Sequence, residues 1–221
     1  MDNENILILF YKYPEKGKIK TRLAQSVGDQ HAFEIYNCML NDLYTTAGKT
    51  SVIKIAASTL PGGIPAGKPV YDTFLQEGTD LGEKMLNAFR KVFSLGYSRA
   101  ILSGSDCPEI TAELFDEAFD TLTDHDYVIG PASDGGYYLI GMKREVLNPS
   151  VFQDIPWSTS RVLDTTAGRL NAERYRYKLL EELNDVDTLD DVETLLSNNG
   201  EGRRSETITY LKRMRKGHHE I

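Results

Sequence analysis

The stretch NILILFYKYPEKGKIKTRL, residues 5–23, decides the fold, because an apolar run leads there directly into a cationic loop. The unbroken apolar run Asn5–Tyr11 predicts a short buried strand. Between Lys12 and Arg22 the chain carries five cations and one acid, whereas the whole protein of 221 residues has a formal net charge of −8. A cluster of positive charge directly after the first strand of an acidic protein predicts an anionic ligand.

The composition excludes several classes of protein. A hydrophobic fraction of 40% and a charged fraction of 26% are ordinary for a soluble globular protein. The longest apolar runs are far shorter than the roughly 20 residues of a membrane helix, and the acidic start MDNENILILF does not resemble a signal peptide. Two cysteines, Cys38 and Cys107, give neither a disulfide framework nor zinc-ligand spacing. We therefore expect a cytoplasmic protein without a nucleic-acid partner.

Outward from this stretch, strands alternate with helices along the chain. Strands are predicted at 51–57, 70–75, 99–103, 127–131, 137–142 and 176–180, and helices beginning at 28–29, 81, 111, 158–159 and 187. This alternation predicts a single-domain α/β fold over residues 1–200, a Rossmann-like three-layer α/β/α sandwich around a mostly parallel twisted sheet. Residues 201–221 are predicted to form a basic, helical C-terminal tail. Ligands of such sheets bind beyond the carboxyl ends of the strands.

The cationic loop has the features of a phosphate site, although it matches neither G-x-x-x-x-G-K-[ST] nor G-x-G-x-x-G. Gly17 permits close approach of the backbone to a ligand, and amides entering the next helix favour an anion. Lys18, Lys20 and Arg22 alternate, so in an extended loop they point the same way, and Thr21 adds a hydroxyl. These features suit a diphosphate or triphosphate; a solvated basic loop is the alternative.

Carboxylates that follow later strands are candidates for binding a metal ion. Asp106 follows the strand at 99–103 and is held rigidly by Pro108. A phosphate-bound Mg²⁺ takes one or two carboxylates, although Asp106 could instead cap a turn. Asp185 and Asp187 precede a helix, and we predict that Asp187 is its N-cap. The other acid would then complete a metal site opposite Asp106.

Three further segments hold candidate binding residues. In GPASDGGYYLIG, Asp134 opens a tight turn and Tyr137 and Tyr138 alternate across a strand, so one could face the ligand crevice; an Asp-Gly hairpin turn is the alternative. In QEGTDLGEKM, Gln76, Asp80 and Gly82 could read the base or hold the acceptor. The alternative is that Thr79 or Asp80 caps the following helix. Trp157, the only tryptophan, could stack on a sugar or base, or anchor its loop.

Together these segments resemble a known family. PEKGKIKTRL, TDLGEKM, GSDCPEIT, GPASDGGYYLIG, IPWSTSRVL and NDVDTLDD occur in the order found in the rSAM/selenodomain-associated transferase 1 family. That family is commonly described as glycosyltransferases and belongs to the nucleotide-diphospho-sugar transferase superfamily, with the GT-A fold. The resemblance runs from about Ile6 to Leu196. One departure is Leu189, which stands where the superfamily pattern has proline before its last acidic helix.

The resemblance implies roles for the cationic loop and for Asp106 and Asp185 or Asp187, and the segments described above supply the other candidates. Mg²⁺ or Mn²⁺ would be bound by Asp106 with Asp185 or Asp187, and Asp106 and Asp134 would be catalytic. The nucleotide and its phosphates would be bound by Gly17, Lys18, Lys20, Thr21, Arg22, Gln76 and Gly82. The acceptor would be bound by Asp80, Gly135, Gly136, Tyr137, Tyr138, Trp157 and Ser158.

The predicted function is that of a metal-dependent transferase using an activated nucleotide. Glycosyl transfer from a nucleotide-diphospho-sugar to a small acceptor is favoured by the family resemblance. Nucleotidyl transfer from a nucleoside triphosphate, as in guanylyltransferases, is the alternative that the charge of the loop favours. A non-catalytic nucleotide-binding protein is kept as a third possibility, and a homodimer as one oligomeric state.

Overall fold

Strand β1 (Asn5–Tyr11) lies inside the fold, since both of its faces are buried. The computed structural model describes residues 4–65, 67–69, 71–198 and 205–217. One face of β1 packs into a hydrophobic cluster through Leu7, Leu9 and Tyr11. The other face packs into a second cluster, on the opposite side of the sheet, through Ile6, Ile8 and Phe10. Burial on both faces explains why the run is apolar without alternation.

The sheet has seven strands in the order β3-β2-β1-β4-β6-β5-β7. The remaining strands are β2 (Ile53–Ser58), β3 (Asp72–Leu75), β4 (Arg99–Ser103), β5 (Tyr127–Pro131), β6 (Tyr137–Lys143) and β7 (Tyr177–Leu179). Only β6 runs antiparallel to its neighbours β4 and β5, and every other pairing is parallel. The predicted mostly parallel sheet is therefore confirmed, and β1, β4 and β5 end at the same edge.

Helices cover both faces of the sheet. They are α1 (Thr21–Ala47), α2 (Leu81–Ser94), α3 (Ala112–Asp124), α4 (Val162–Ala172), α5 (Leu189–Asn198) and α6 (Glu206–Gly217). Helices α1 and α3 pack on one face and α2 and α4 on the other, while α5 and α6 pack on the outer side of α1. The predicted three-layer α/β/α sandwich is thus confirmed. Within the described ranges, no helix is long and apolar enough to span a membrane.

Most predicted elements lie within two residues of their observed bounds, but the start of one helix, α4, was wrong. Helix α1 is divided at Gly28, whose φ of 80° and ψ of 158° are not helical. The helix after Gly28 begins as predicted, whereas the short helix that begins at Thr21 was not predicted. Helix α4 begins at Val162 rather than at 158–159, since Ser158 has a left-handed φ of 63°. Helix α5 begins at Leu189, and its cap is described below.

Some predicted segments fall partly outside the described residues. Val70, from the predicted strand at 70–75, and residues 201–204 and 218–221, from the predicted tail, are of this kind. The part of the tail that is described forms α6, which buries Ile208 and Leu211 against α1 and α5. The division of the chain at residue 200 stays a prediction.

Candidate functional site

The candidate site lies at the carboxyl edge of the sheet, where three loops and a late segment meet. Strands β1 and β4 are adjacent and parallel, so the cationic loop and Asp106 leave the sheet side by side. The segment after Leu183 crosses this edge: the Ser133 N–H donates to the Leu183 carbonyl at 3.0 Å, and the Val186 N–H donates to the Asp106 carbonyl at 3.0 Å. Residues 106, 134, 185 and 187 therefore lie along one rim.

Lys20 is at the centre of this rim. Its Nζ lies 2.6 Å from Oδ1 of Asp106 and 2.6 Å from Oδ1 of Asp187. The lysine side chain is 4% exposed, while the two carboxylates are 52% and 40% exposed. Burial alone would lower the pKa of Lys20, but the charges of Asp106 and Asp187 outweigh it and the pKa is raised. The ammonium is therefore a permanent cation in the protein without bound ligand.

The path of the backbone puts Lys20 in this position. Glu15 to Lys18 form a turn closed by a 3.0 Å hydrogen bond from the Lys18 N–H to the Glu15 carbonyl, with Gly17 at a φ of 78°. Lys20 then takes a left-handed φ of 46°, and α1 begins at the next residue, Thr21. Tyr36 of α1 fixes the loop through a hydrogen bond from its hydroxyl to the Lys12 carbonyl at 2.9 Å.

The loop is therefore not extended, and the prediction that its cations point the same way is wrong. Lys18 is exposed and pairs with Glu15 at 3.1 Å, a surface contact that contributes little stability. Arg22 stands on the first turn of α1, with Nη1 4.0 Å from Oδ2 of Asp187 and a side chain that is 70% exposed. Only Lys20 is directed inward, between the two acids.

Asp187 is not the N-cap of α5, contrary to prediction. Asp191 Oδ2 accepts hydrogen bonds from the N–H of Asp187 at 2.9 Å and from the N–H and hydroxyl of Thr188 at 2.7 and 2.8 Å. The Thr188 hydroxyl accepts in turn from the Asp191 N–H at 3.3 Å, which completes a capping box. Because Thr188 and Asp191 cap the helix, the Asp187 carboxylate is left to face Lys20. Burial raises its pKa, but Lys20 outweighs this and the pKa of Asp187 is lowered.

Asp185 and Asp134 form a second acidic pair beside the first. Burial, and then the negative charges of Asp134 and Asp187, raise the pKa of Asp185 to about 6. Asp134 is exposed, and its Oδ1 accepts a 2.7 Å hydrogen bond from the Gly136 N–H within the predicted tight turn. The rim therefore carries four carboxylates around one buried ammonium.

Asp185→Asn should stabilise the protein at alkaline pH and have no effect near pH 3. A carboxyl whose folded pKa lies above its unfolded value of 3.8 binds its proton more tightly in the folded state, so its ionisation costs stability. The cost is complete above about pH 6 and absent below about pH 4. A two-unit shift corresponds to between about 2 and 3 kcal/mol. We expect a gain of about 1 kcal/mol at pH 8, because the carboxyl is only half-buried.

Urea denaturation in a metal chelator, repeated from pH 3 to pH 8, measures this difference. Asp116→Asn is the matched control, since Asp116 is exposed on α3 and its replacement removes the same charge. A gain for Asp185→Asn that is equal at pH 3 and pH 8 would contradict the raised pKa.

Two of the predicted acceptor-binding residues, Tyr137 and Trp157, pack against each other. Trp157 meets Tyr137 edge to face, with ring centroids 6.3 Å apart. It also covers Gly82, where a Cβ would lie 2.8 Å from the indole and 2.2 Å from the Phe152 carbonyl oxygen. Gly82 is thus a buried packing position and does not face a nucleotide, because Trp157 fills the space above it.

The prediction that Tyr137 or Tyr138 faces the ligand crevice is wrong. The Tyr137 hydroxyl is buried, and Tyr138 is buried in the core, with its hydroxyl donating to the Glu181 carbonyl at 3.1 Å. Gly130 accommodates the Tyr138 ring, since a Cβ there would lie 2.3 Å from it. The two side chains therefore pack into the hydrophobic clusters on opposite faces of the sheet.

The remaining predicted residues have local structural contacts. Gln76 donates through Nε2 to the carbonyls of Tyr11 and Ala57, both at 2.9 Å, and so joins the ends of β1 and β2. Asp80 caps α2, with Oδ1 accepting from the Glu83 N–H at 2.8 Å, as the capping alternative predicted. Ser158 is exposed. Gly135 joins the rim to the first turn of α4, since the Leu163 N–H donates to the Gly135 carbonyl at 2.9 Å, whereas the Gly136 N–H donates to Asp134.

The donor set on the rim suits a cation. Two carboxylate oxygens already contact one positively charged atom at 2.6 Å each, so they lie no farther apart than twice that distance. Among the described residues no three His, Cys, Asp or Glu side chains are gathered as a metal site. Mg²⁺ requires fewer protein ligands than that when a nucleotide supplies phosphate oxygens. Asp106 and Asp187 therefore fit a metal–nucleotide site, with Lys20 at the place between them.

The fold is shared with proteins of known structure. Cytidine 5′-monophosphate:2-keto-3-deoxy-manno-octonic acid synthetase, solved with CTP, matches with a TM-score of 0.55 at 13% identity, covering 87% of this chain and 96% of the other. Rv0371c of Mycobacterium tuberculosis H37Rv, solved with manganese, matches with a TM-score of 0.50 at 14% identity, covering 88% and 99%. At such identities the likeness shows the fold alone.

A much closer likeness is to a protein of Desulfovibrio desulfuricans G20 that is provisionally named a nucleotide-diphospho-sugar transferase. Its crystal structure matches with a TM-score of 0.89 at 34% identity, covering 98% of this chain and 96% of the other. No curated protein matches the sequence. The model of a family described as "Uncharacterized protein conserved in bacteria" (DUF2064) matches residues 44–159. With more than half of its length inside that match, the chain belongs to the DUF2064 family.

Proposed function

We propose that this protein is a transferase that uses an activated nucleotide and moves a glycosyl group from a nucleotide-diphospho-sugar to a small acceptor. The observation that carries the proposal is the group formed by Lys20, Asp106 and Asp187, with Arg22 at its side, at the carboxyl edge of a parallel sheet. The name given to the Desulfovibrio relative, which covers nearly the whole chain, supports the same substrate class. So does the resemblance of the sequence motifs to the rSAM/selenodomain-associated transferase 1 family.

The residues of the rim divide into two groups in this proposal. Lys20 and Arg22 bind the phosphates of the donor, since they are the cations closest to the acids. Asp134, whose Oδ1 is engaged by the Gly136 N–H, orients the acceptor or takes its proton. A bound Mg²⁺ or Mn²⁺, held by Asp106 and Asp187, would neutralise charge on the leaving nucleoside diphosphate. The manganese in the Rv0371c crystal is consistent with this choice of ion.

Nucleotidyl transfer is the second candidate, because Lys12 and Lys16 are exposed in the same loop and could bind the extra phosphate of a nucleoside triphosphate. The ion pairs of the loop reduce this argument. Lys18 is paired with Glu15, and Lys20 with two acids, so the loop presents less free positive charge than its sequence implies. Glycosyl transfer therefore stays first. The cytoplasmic location and the homodimer stay predictions.

Thermal unfolding with nucleotide-diphospho-sugars and nucleoside triphosphates, each with and without Mn²⁺, tests the proposal. A ligand present at 100 times its Kd adds about 2.7 kcal/mol of stability. Metal-dependent stabilisation by a nucleotide-diphospho-sugar, followed by release of a nucleoside diphosphate, supports glycosyl transfer, whereas triphosphate binding with pyrophosphate release supports nucleotidyl transfer. If nucleotide binding is changed neither by the metal nor by Asp106→Asn, both enzymatic proposals are wrong. A non-catalytic nucleotide-binding protein is then the conclusion.

A further inference from the structure

Lys20 occupies the position at which the proposed metal ion would meet its two carboxylates. Its Nζ is 2.6 Å from each of them, and its side chain is almost completely buried beneath them, at 4% exposure. The carboxylates are 52% and 40% exposed, so they are accessible to solvent, whereas the ammonium is not. A cation arriving from solvent therefore reaches two acids whose combined charge the ammonium already halves.

The position of Lys20 is built into the backbone. A left-handed φ of 46° is unfavourable for lysine, by about 1–2 kcal/mol for a residue with a side chain. On either side of Lys20 the chain is anchored by the buried side chains of Ile19 and Leu23. The left-handed residue between these anchors turns its long side chain toward Asp106 and Asp187, which come from two distant parts of the sequence.

We propose that Lys20 is an internal counter-cation that holds Asp106 and Asp187 together in the nucleotide-free protein and competes with the divalent cation for them. This inference rests on the proposed function, because it concerns the same metal–nucleotide site. Two cations between the same carboxylates repel each other strongly at such short separation. The divalent cation therefore binds weakly until a nucleotide offers its phosphates to the Lys20 ammonium. Metal and nucleotide then bind cooperatively, through the transfer of one lysine from carboxylates to phosphate.

The inference predicts that removing the ammonium strengthens metal binding. Mn²⁺ affinity is measured by electron paramagnetic resonance without nucleotide, in wild type, in Lys20→Met and in Lys20→Gln. We expect both variants to bind Mn²⁺ about tenfold more tightly, or more, than wild type, which corresponds to about 1.4 kcal/mol or more. Mn²⁺ should also raise the melting temperature of both variants more than that of wild type, because it restores the missing positive charge.

Lys18→Met is the matched control, since it removes the same charge from the same loop at a residue that is 71% exposed. It should leave Mn²⁺ affinity within about twofold of wild type, because exposed charges are screened. Adding Asp106→Asn to Lys20→Met should abolish the gain and thereby assign it to this site.

The outcomes separate the inference from the proposed function. If wild type and the Lys20 variants bind Mn²⁺ equally, in a manner that Asp106→Asn abolishes, the metal site stands and the role of Lys20 as a competitor is wrong. Weaker binding in the Lys20 variants also overturns the inference. If no variant binds Mn²⁺ and nucleotide binding ignores the metal, metal dependence itself fails, and the inference fails with it. Lys20→Gln keeps a hydrogen-bond donor, so it decides the question if Lys20→Met does not fold.

Discussion

Asp106→Asn should lower the rate of nucleoside diphosphate release from a nucleotide-diphospho-sugar by at least about 100-fold, while the protein stays folded. The amide keeps the size of the side chain but loses the charge that would hold the metal ion and that now faces Lys20 at 2.6 Å. Folding is retained because the Asp106 side chain is about half exposed, so its replacement leaves no buried cavity. We expect slow transfer of the sugar to water, which can be followed before the acceptor is known.

The control for this variant is Asp120→Asn, an exposed acid on α3 that removes the same charge away from the rim. It should release nucleoside diphosphate at the wild-type rate. An Asp106→Asn enzyme with a wild-type rate in the presence of Mn²⁺ would show that the metal, if used at all, is bound elsewhere. A variant that binds the donor in a metal-dependent way but does not turn over would instead limit the role of Asp106 to the chemical step.

The sheet and the position of the site could be predicted because their signals are local. The apolar run of β1, the polar loop behind it and the acid that follows β4 are each visible in a few adjacent residues. Parallel order then brings the ends of β1 and β4 to one edge. Buried strands without alternation are a strong signal, so their bounds were predicted closely.

The internal geometry of the site could not be predicted, because it depends on one left-handed residue and on a distant partner. Nothing in the sequence marks Lys20 as left-handed, since this conformation is rare for residues other than glycine and Asn. Its contact with Asp187 joins residues 167 positions apart. The capping of α5 is different. Thr188 followed three positions later by Asp191 is the pattern of a capping box, so the sequence does contain the signal that Asp187 is not the cap.

Gly135→Ala should destabilise the protein by about 3 kcal/mol or more, for two independent reasons. Gly135 has a φ of +86°, which costs a residue with a side chain about 1–2 kcal/mol. The added Cβ would also lie 2.3 Å from the Ser160 carbonyl oxygen and 2.7 Å from two further backbone atoms of Ser160. Backbone cannot rotate away as a flexible side chain does, so the turn that carries Asp134 must separate from the loop before α4.

Urea denaturation followed by the fluorescence of Trp157, the only tryptophan, reports both the loss of stability and the state of that loop. Gly62→Ala is the matched control, because its φ is +64° but its Cβ would meet nothing within 4 Å. It should cost only the conformational part, about 1–2 kcal/mol. The difference in lost stability between the two variants isolates the contact of Gly135 with Ser160. This contact joins the turn that carries Asp134 to the loop before α4, which contains Trp157 and is called the Trp157 loop. If both variants lose the same stability, that contact is loose, and the Trp157 loop cannot be what holds Asp134 in place.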